Sequence, residues 1–190
     1  MNNRFRLPCV LTLLMLLNGC ATLMAPMSSE PVDRNLGKRT FGAVIEDQAI
    51  ETKTRVNLKR AGAPLSEQRI IVVSFNGHVL LAGQVRSEAM KKQAEEITSA
   101  IRHVDQIHNE LSVVGAGSTL ARINDAWLTS KIKTRLMFSE APARRTKVVT
   151  ENGVVYLMGL LTRSEADSAV AQAQKTYGVQ KIVKIIEYID

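Results

Sequence analysis

The sequence predicts an α+β protein built from two tandem copies of one αββαβ unit, each a three-stranded mixed sheet packed by two helices, behind a flexible lipidated tether. Three observations carry this expectation. A unit of about seventy residues repeats, each copy holds an Asn-Gly hairpin signal, and apolar residues recur every four positions on the helix that opens the second copy.

The N-terminus comes first in chain order. Arg4 and Arg6 make a basic start, residues 10–17 form an apolar run, and small Gly19 stands directly before Cys20. This is a secretory signal layout. The apolar run is roughly half of the ~20 residues a spanning helix needs. Leu17-Asn18-Gly19-Cys20 fits a lipobox, so residues 1–19 are expected to be removed, leaving Cys20 as a first residue that carries acyl and diacylglyceryl groups. Ala21, where an aspartate would favour inner-membrane retention, points to the outer membrane, with the folded part facing the periplasm. An ordinary cysteine behind an ordinary cleavage site is the poorer reading, because such a site wants small residues at both flanking positions. Cys9 lies in the removed peptide, which leaves no disulfide partner for Cys20 and a core that must hold on aliphatic packing alone.

The chain carries 25 bases and 18 acids, a formal +7. Cleavage removes Arg4 and Arg6 and no acid, leaving 23 bases against 18 acids, or +5. Such a balance suits nucleic acid or anionic head groups. A chain held in the envelope meets the second, so anionic phospholipid and not nucleic acid is the expected partner.

Residues 20–46 hold Pro26, Ser28, Ser29, Pro31, Gly37 and Gly42 without steady periodicity and read as a tether. The repeat then places the first domain at 47–114, a linker around Gly115-Ala-Gly-Ser118 at 115–124, and the second domain at 125–190. Asp47 aligns with Asp125, Ile50 with Leu128, Lys53 with Lys131, Arg55 with Lys133 and Leu58 with Leu136. Further on, Asn76-Gly77 aligns with Asn152-Gly153, Gly83 with Gly159, Glu88-Ala89 with Glu165-Ala166, and Val104 and Ile107 with Val179 and Ile182.

Within each copy, Asp125 is the expected N-cap of a helix that buries Leu128, Ile132 and Leu136. Residues 70–75 and 79–82 flank Asn76-Gly77-His78, and residues 147–150 and 154–158 flank Glu151-Asn152-Gly153. Asn and Gly both tolerate positive φ, so each is a hairpin. Ser87 and Ser164 are expected to start the second helices and Gly178 to end one, before final strands at 107–114 and 181–189. Gly83 and Gly159 are expected where a side chain would collide with the packed helix or twist the strand exit.

The tandem pattern of an Asp before a helix, strand-Asn-Gly-strand, a following glycine, and Gly178-Val179 leading into the last strand resembles the BON domain, over about residues 45–190. The second copy matches more closely, with Trp127 and Thr150-Glu-Asn-Gly153 as local matches, whereas the first has Gly62 and Pro64 after its helix and no glycine before Val104. Together with the lipobox, the resemblance extends to dual-BON outer-membrane lipoproteins of Gram-negative bacteria. It implies phospholipid binding, support of outer-membrane integrity and a place at division sites, and not catalysis.

The residues themselves show no competing chemistry. His78, His103 and His108 have no cysteine partner and no HExxH spacing and read as solvated surface histidines; neither a metal site nor a catalytic residue is expected. No nucleophile elbow or phosphate loop is present. What stands out is a stripe on the first helix of the second copy, where Trp127, Lys131, Arg135 and Phe138, with Thr134 between them, lie one position off the buried residues. Rings at head-group level and cations reaching phosphates are what an interfacial helix needs. Residues 131–147 hold six bases in all, Lys131, Lys133, Arg135, Arg144, Arg145 and Lys147, against Glu140. The first copy has Ala49, Lys53 and Asn57 instead. The expected ligands are phosphatidylglycerol or cardiolipin. The bland alternative packs Trp127 against the first domain or linker and leaves the bases as a solvated face. A rival function is a protein adaptor presenting a sheet face to an envelope partner; cell-wall binding is weaker, for want of any glycan-binding constellation.

Overall fold

The computed structural model describes residues 37–114 and 119–190. The expected signal peptide, Cys20, most of the expected tether and the glycine-rich boundary at 115–118 lie outside the described residues. The first copy runs α1 (Phe41–Arg60), a 3-10 turn (Leu65–Glu67), β1 (Ile70–Phe75), β2 (His78–Val85), α2 (Glu88–Ser99) and β3 (Gln106–Val113). The second runs α3 (Thr119–Met137), β4 (Thr146–Glu151), β5 (Val154–Leu161), α4 (Arg163–Gln174) and β6 (Lys181–Tyr188). In each sheet the middle strand pairs antiparallel with its hairpin partner and parallel with the last strand, giving the orders β1-β2-β3 and β4-β5-β6. This is the expected mixed α+β unit, twice.

The opening helices start earlier than the repeat suggests. Thr40 caps α1 by accepting from Ala43 N at 3.1 Å, and α3 already begins at Thr119, within the stretch read as linker. Asp125 is therefore no N-cap. It lies inside α3, nearly buried, and its carboxylate accepts the backbone N–H groups of Asn152 and Gly153, each at 2.8 Å. Asp47 does the same to the first hairpin, accepting Asn76 N at 2.8 Å and Gly77 N at 3.1 Å, together with Ser74 Oγ at 2.7 Å and Arg39 Nη1 at 2.5 Å. Burial alone would raise the Asp47 carboxyl, but Ser74, the two turn amides and Arg39 hold it below its ordinary value. The repeated Asp is thus a staple between helix and hairpin. The turns it holds have both central residues at positive φ, Asn76 at 51° with Gly77 at 79° and Asn152 at 49° with Gly153 at 71°, the two-residue geometry that matches strand twist.

Two other expected caps move. Ser87 does cap α2, accepting from Met90 N, but α4 is capped by Thr162 in a reciprocal box with Glu165, which leaves Ser164 inside the first turn. The signal is Thr162-x-x-Glu165. Gly178, at φ +99°, stands beyond the Lys175 C-cap in the turn to β6. The first copy makes the same turn with His103 at φ 67°, so no glycine is required there.

Of the two expected reasons for Gly83 and Gly159, collision with the packed helix is corrected: backbone crowds both. A β-carbon on Gly83, which has φ +127°, would overlap the Arg69 carbonyl oxygen, and one on Gly159 would stand 2.7 Å from the Arg145 carbonyl oxygen. Both obstacles are residues leading into the neighbouring strand of the hairpin.

Side chains alternate along the strands between two environments. One set, with Val72, Val79 and Leu81 in the first copy and Val148, Val155 and Leu157 in the second, packs under that copy's own helices against Ile50 and Leu58 or Ile132 and Leu136. The other set joins the copies: Val73, Phe75, Leu80 and Ala82 pack with Tyr156, Met158, Leu160 and Ile185. The described residues accordingly form one compact unit, layered helix, sheet, sheet, helix. Polar contacts frame the seam. Arg69 Nη1 donates to both Glu151 carboxylate oxygens at 2.8 Å, Lys147 Nζ reaches Glu51 Oε1 at 3.0 Å and the Ser74 carbonyl at 3.2 Å, and Asn76 Nδ2 donates to Glu187 at 2.8 Å.

Candidate functional site on the second domain

The copies share a core and differ in what α1 and α3 show to solvent. Asp125 reaches the hairpin and Thr129 Oγ1 bonds Thr150 Oγ1 at 2.8 Å, which fixes one flank of α3 over β4. Leu128, Ile132 and Leu136 are buried beneath it. Trp127 falls on the opposite flank and is 51% exposed, with Lys131 Nζ 4.4 Å from its ring centroid. An indole half open to solvent on this flank leaves a ring free to meet a surface, with the Lys131 ammonium at its face. Phe138 follows at 86% exposure, one turn past Arg135, which is half-buried. Thr134 is exposed, yet its hydroxyl bonds back to the Ser130 carbonyl at 2.9 Å, so it adds little donor capacity to the surface.

The structure adds Ile123 and Met137, 63% and 70% exposed, to the apolar surface. Ile123 precedes Trp127 by one helical repeat. It escapes a sequence reading that starts the helix at Asp125. At the matching positions of α1, Lys59 and Arg60 replace Met137 and Phe138, and Ala49 replaces Trp127.

The basic cluster divides. Arg145 turns inward to pair with Glu165 and to donate to the Leu160 carbonyl at 3.2 Å, beside Gly37 of the approaching chain. Burial would raise the Glu165 carboxyl, but the Thr162 amide and Arg145 hold it below its ordinary value. Lys147 is committed to the seam between the copies. Four bases of that cluster remain around α3: Lys131 over the Trp127 ring, Arg135 one turn past Lys131, and Lys133 and Arg144 around a depression of about 370 Å³ that Met137, Ala143 and Thr146 complete.

The histidines correct the expectation of a solvated set. His103 is exposed, but His78 and His108 stack with centroids 5.8 Å apart at the edge of the seam, His78 Nε2 lying 3.8 Å from Glu187. His108 Nε2 is buried with no hydrogen-bond partner among the described residues, and burial first, then His78, lower its pKa. Among the described residues no group of three or more His, Cys, Asp or Glu is placed to hold a metal ion, and no helix is long and apolar enough to cross a membrane.

Two αββαβ units sharing a buried sheet seam, with an aromatic and basic helix face developed on one of them, define a duplicated α+β module. Residues 46–115 and 124–190 each match the BON domain, and the chain belongs to that family. It is 33% identical, over 92% of its own length and 91% of the relative's, to the outer membrane lipoprotein DolP of Haemophilus influenzae. It is also 34% identical to the 21 kDa hemolysin of Actinobacillus pleuropneumoniae, covering 85% of this chain and 81% of that one. The osmotically-inducible protein Y of Escherichia coli K12 shares 28% identity over 82% of this chain and 78% of its own.

Proposed function

We propose that this chain is a lipoprotein of the outer membrane, anchored through acyl groups on Cys20 and facing the periplasm, whose second BON domain binds anionic phospholipid and so supports outer-membrane integrity, with recruitment to division sites as part of that role. The observation that carries the reading is the exposed Trp127 with Lys131 over its ring, on a helix whose duplicate has alanine at that place. Tryptophan prefers the boundary where its ring is dry and its N–H wet. Each of the four outward bases adds about 1 kcal/mol near an anionic surface, screened by salt. The name of the Haemophilus relative and the Leu17–Cys20 motif support the location. Binding through this face needs no cofactor beyond the acyl groups and no catalytic residue.

An adaptor presenting a sheet face to an envelope protein loses its surface, because the helix-free faces of both sheets are buried against each other. The test is sedimentation of the mature chain carrying Cys20→Ser, which removes the anchor, with phosphatidylglycerol, cardiolipin or neutral phosphatidylcholine vesicles. Wild type should pellet with the anionic vesicles and Trp127→Glu should stay in solution. Equal pelleting in all combinations would sink the proposal.

A further inference from the structure

The turns that follow α2 and α4 are built alike. Val104 N donates to the Ile101 carbonyl at 3.4 Å and Val179 N to the Thr176 carbonyl at 3.3 Å, with His103 and Gly178 as the positive-φ residues. The exposed corner of the first turn is Arg102, and that of the second is Tyr177, 90% exposed. At three corresponding places, then, the second copy displays a ring where the first has none: Trp127 against Ala49, Phe138 against Arg60, and Tyr177 against Arg102.

The backbone that carries Tyr177 is held in place. Thr176 beside it is buried, with its hydroxyl bonded to the Gln172 carbonyl at 3.3 Å and its amide to the Ala173 carbonyl at 3.0 Å. A β-carbon on Gly178 would stand 3.2 Å from Leu128 Cδ2, which sets the turn against α3 at the level of Trp127. Leu128, next to Trp127 in sequence, is the α3 residue that meets this turn, and Lys131, three positions past Leu128, lies on the adjoining face of the helix with its ammonium over the Trp127 ring. Lys175, the exposed C-cap of α4, adds a cation two positions before Tyr177.

We propose that Tyr177 and Lys175 form a second element of the anionic-bilayer contact, so that the domain meets the membrane through α3 and the α4–β6 turn together. This rests on the lipid reading of α3. Two separated elements fix a rigid domain's orientation where one helix would let it roll. A turn whose backbone is already fixed by hydrogen bonds loses little main-chain freedom on inserting.

The test uses the mature chain with Cys20→Ser and phosphatidylglycerol vesicles. Tyr177→Ser should lower vesicle affinity on the order of fivefold, while Tyr177→Phe, which keeps the ring, should stay within about twofold of wild type. In the chain carrying both Trp127→Tyr and Tyr177→Trp, the new indole should be quenched by lipids brominated on the acyl chain. Unchanged affinity of Tyr177→Ser and an unquenched indole, with Trp127→Glu still abolishing binding, would overturn the second element and leave the α3 reading intact. If Trp127→Glu also binds like wild type, both fall.

Discussion

Replacing Asp125 by alanine tests the claim that the repeated aspartate staples helix to hairpin. The wild-type carboxylate accepts two backbone N–H groups, Asn152 and Gly153, at 2.8 Å each, in a setting where Asp125 is only 5% exposed. The turn amides point into the fold, so water does not readily replace the lost acceptor. Leaving a buried donor without a partner costs about 1–3 kcal/mol, which for two gives about 2–6 kcal/mol. With a urea slope of about 1–3 kcal/mol per molar, the unfolding midpoint should fall by on the order of 1–2 M. Asp125→Asn keeps an oxygen for one of the two amides and should fall between wild type and alanine. Urea titration followed by circular dichroism reads all three. An Asp125→Ala midpoint within about 0.2 M of wild type, well inside the smallest shift expected from the lost bonds, would refute the reasoning.

Gly83→Ala should lower the melting temperature more than Gly159→Ala, because at Gly83 the added carbon meets the Arg69 carbonyl and also needs φ +127°, whereas Gly159 has the crowding alone; calorimetry that ranks them the other way contradicts this. Arg69→Ala strands the Glu151 carboxylate at the seam, and with Arg69 itself 48% exposed the loss should be about 1–3 kcal/mol by denaturant unfolding, whereas Glu151→Gln with Arg69→Met should recover part of it. His108 has a folded-state pKa below its ordinary value of 6.5, so protons bind the unfolded chain more readily. Stability is therefore full above about pH 6.5 and falls as pH drops through that value toward the folded pKa, and His108→Asn should flatten the slope in melts between about pH 5 and 7.

The fold was legible because the signals are local and doubled. Asn76-Gly77 and Asn152-Gly153 set hairpin registers by φ preference, and Leu128, Ile132 and Leu136 mark a buried stripe on their own. What a local reading missed depends on tertiary contact. Asp125 looks like an N-cap because short acids favour caps, yet its partners lie more than twenty positions away in sequence. The seam between the sheets had left a trace in Ile70-Ile-Val-Val and Val154-Val-Tyr-Leu-Met, runs apolar at consecutive positions as strands covered on both faces require. At the site, Trp127 and Phe138 stood out as rings beside a buried stripe, but charge counting could not separate Lys131 and Arg135 from Arg145 and Lys147, whose acids come from Glu165 and Glu51. Tyr177 was silent because only the packing of Gly178 on Leu128 brings its turn beside α3.

Trp127 is the chain's single tryptophan, so its own fluorescence reports on the central claim without a label. With the mature chain carrying Cys20→Ser, phosphatidylglycerol vesicles should shift the emission to shorter wavelength, and acyl-brominated phosphatidylglycerol should quench it, while phosphatidylcholine does neither. An emission spectrum unchanged by phosphatidylglycerol at concentrations that pellet the protein would show that it meets the bilayer elsewhere, and would contradict the assignment of lipid binding to α3.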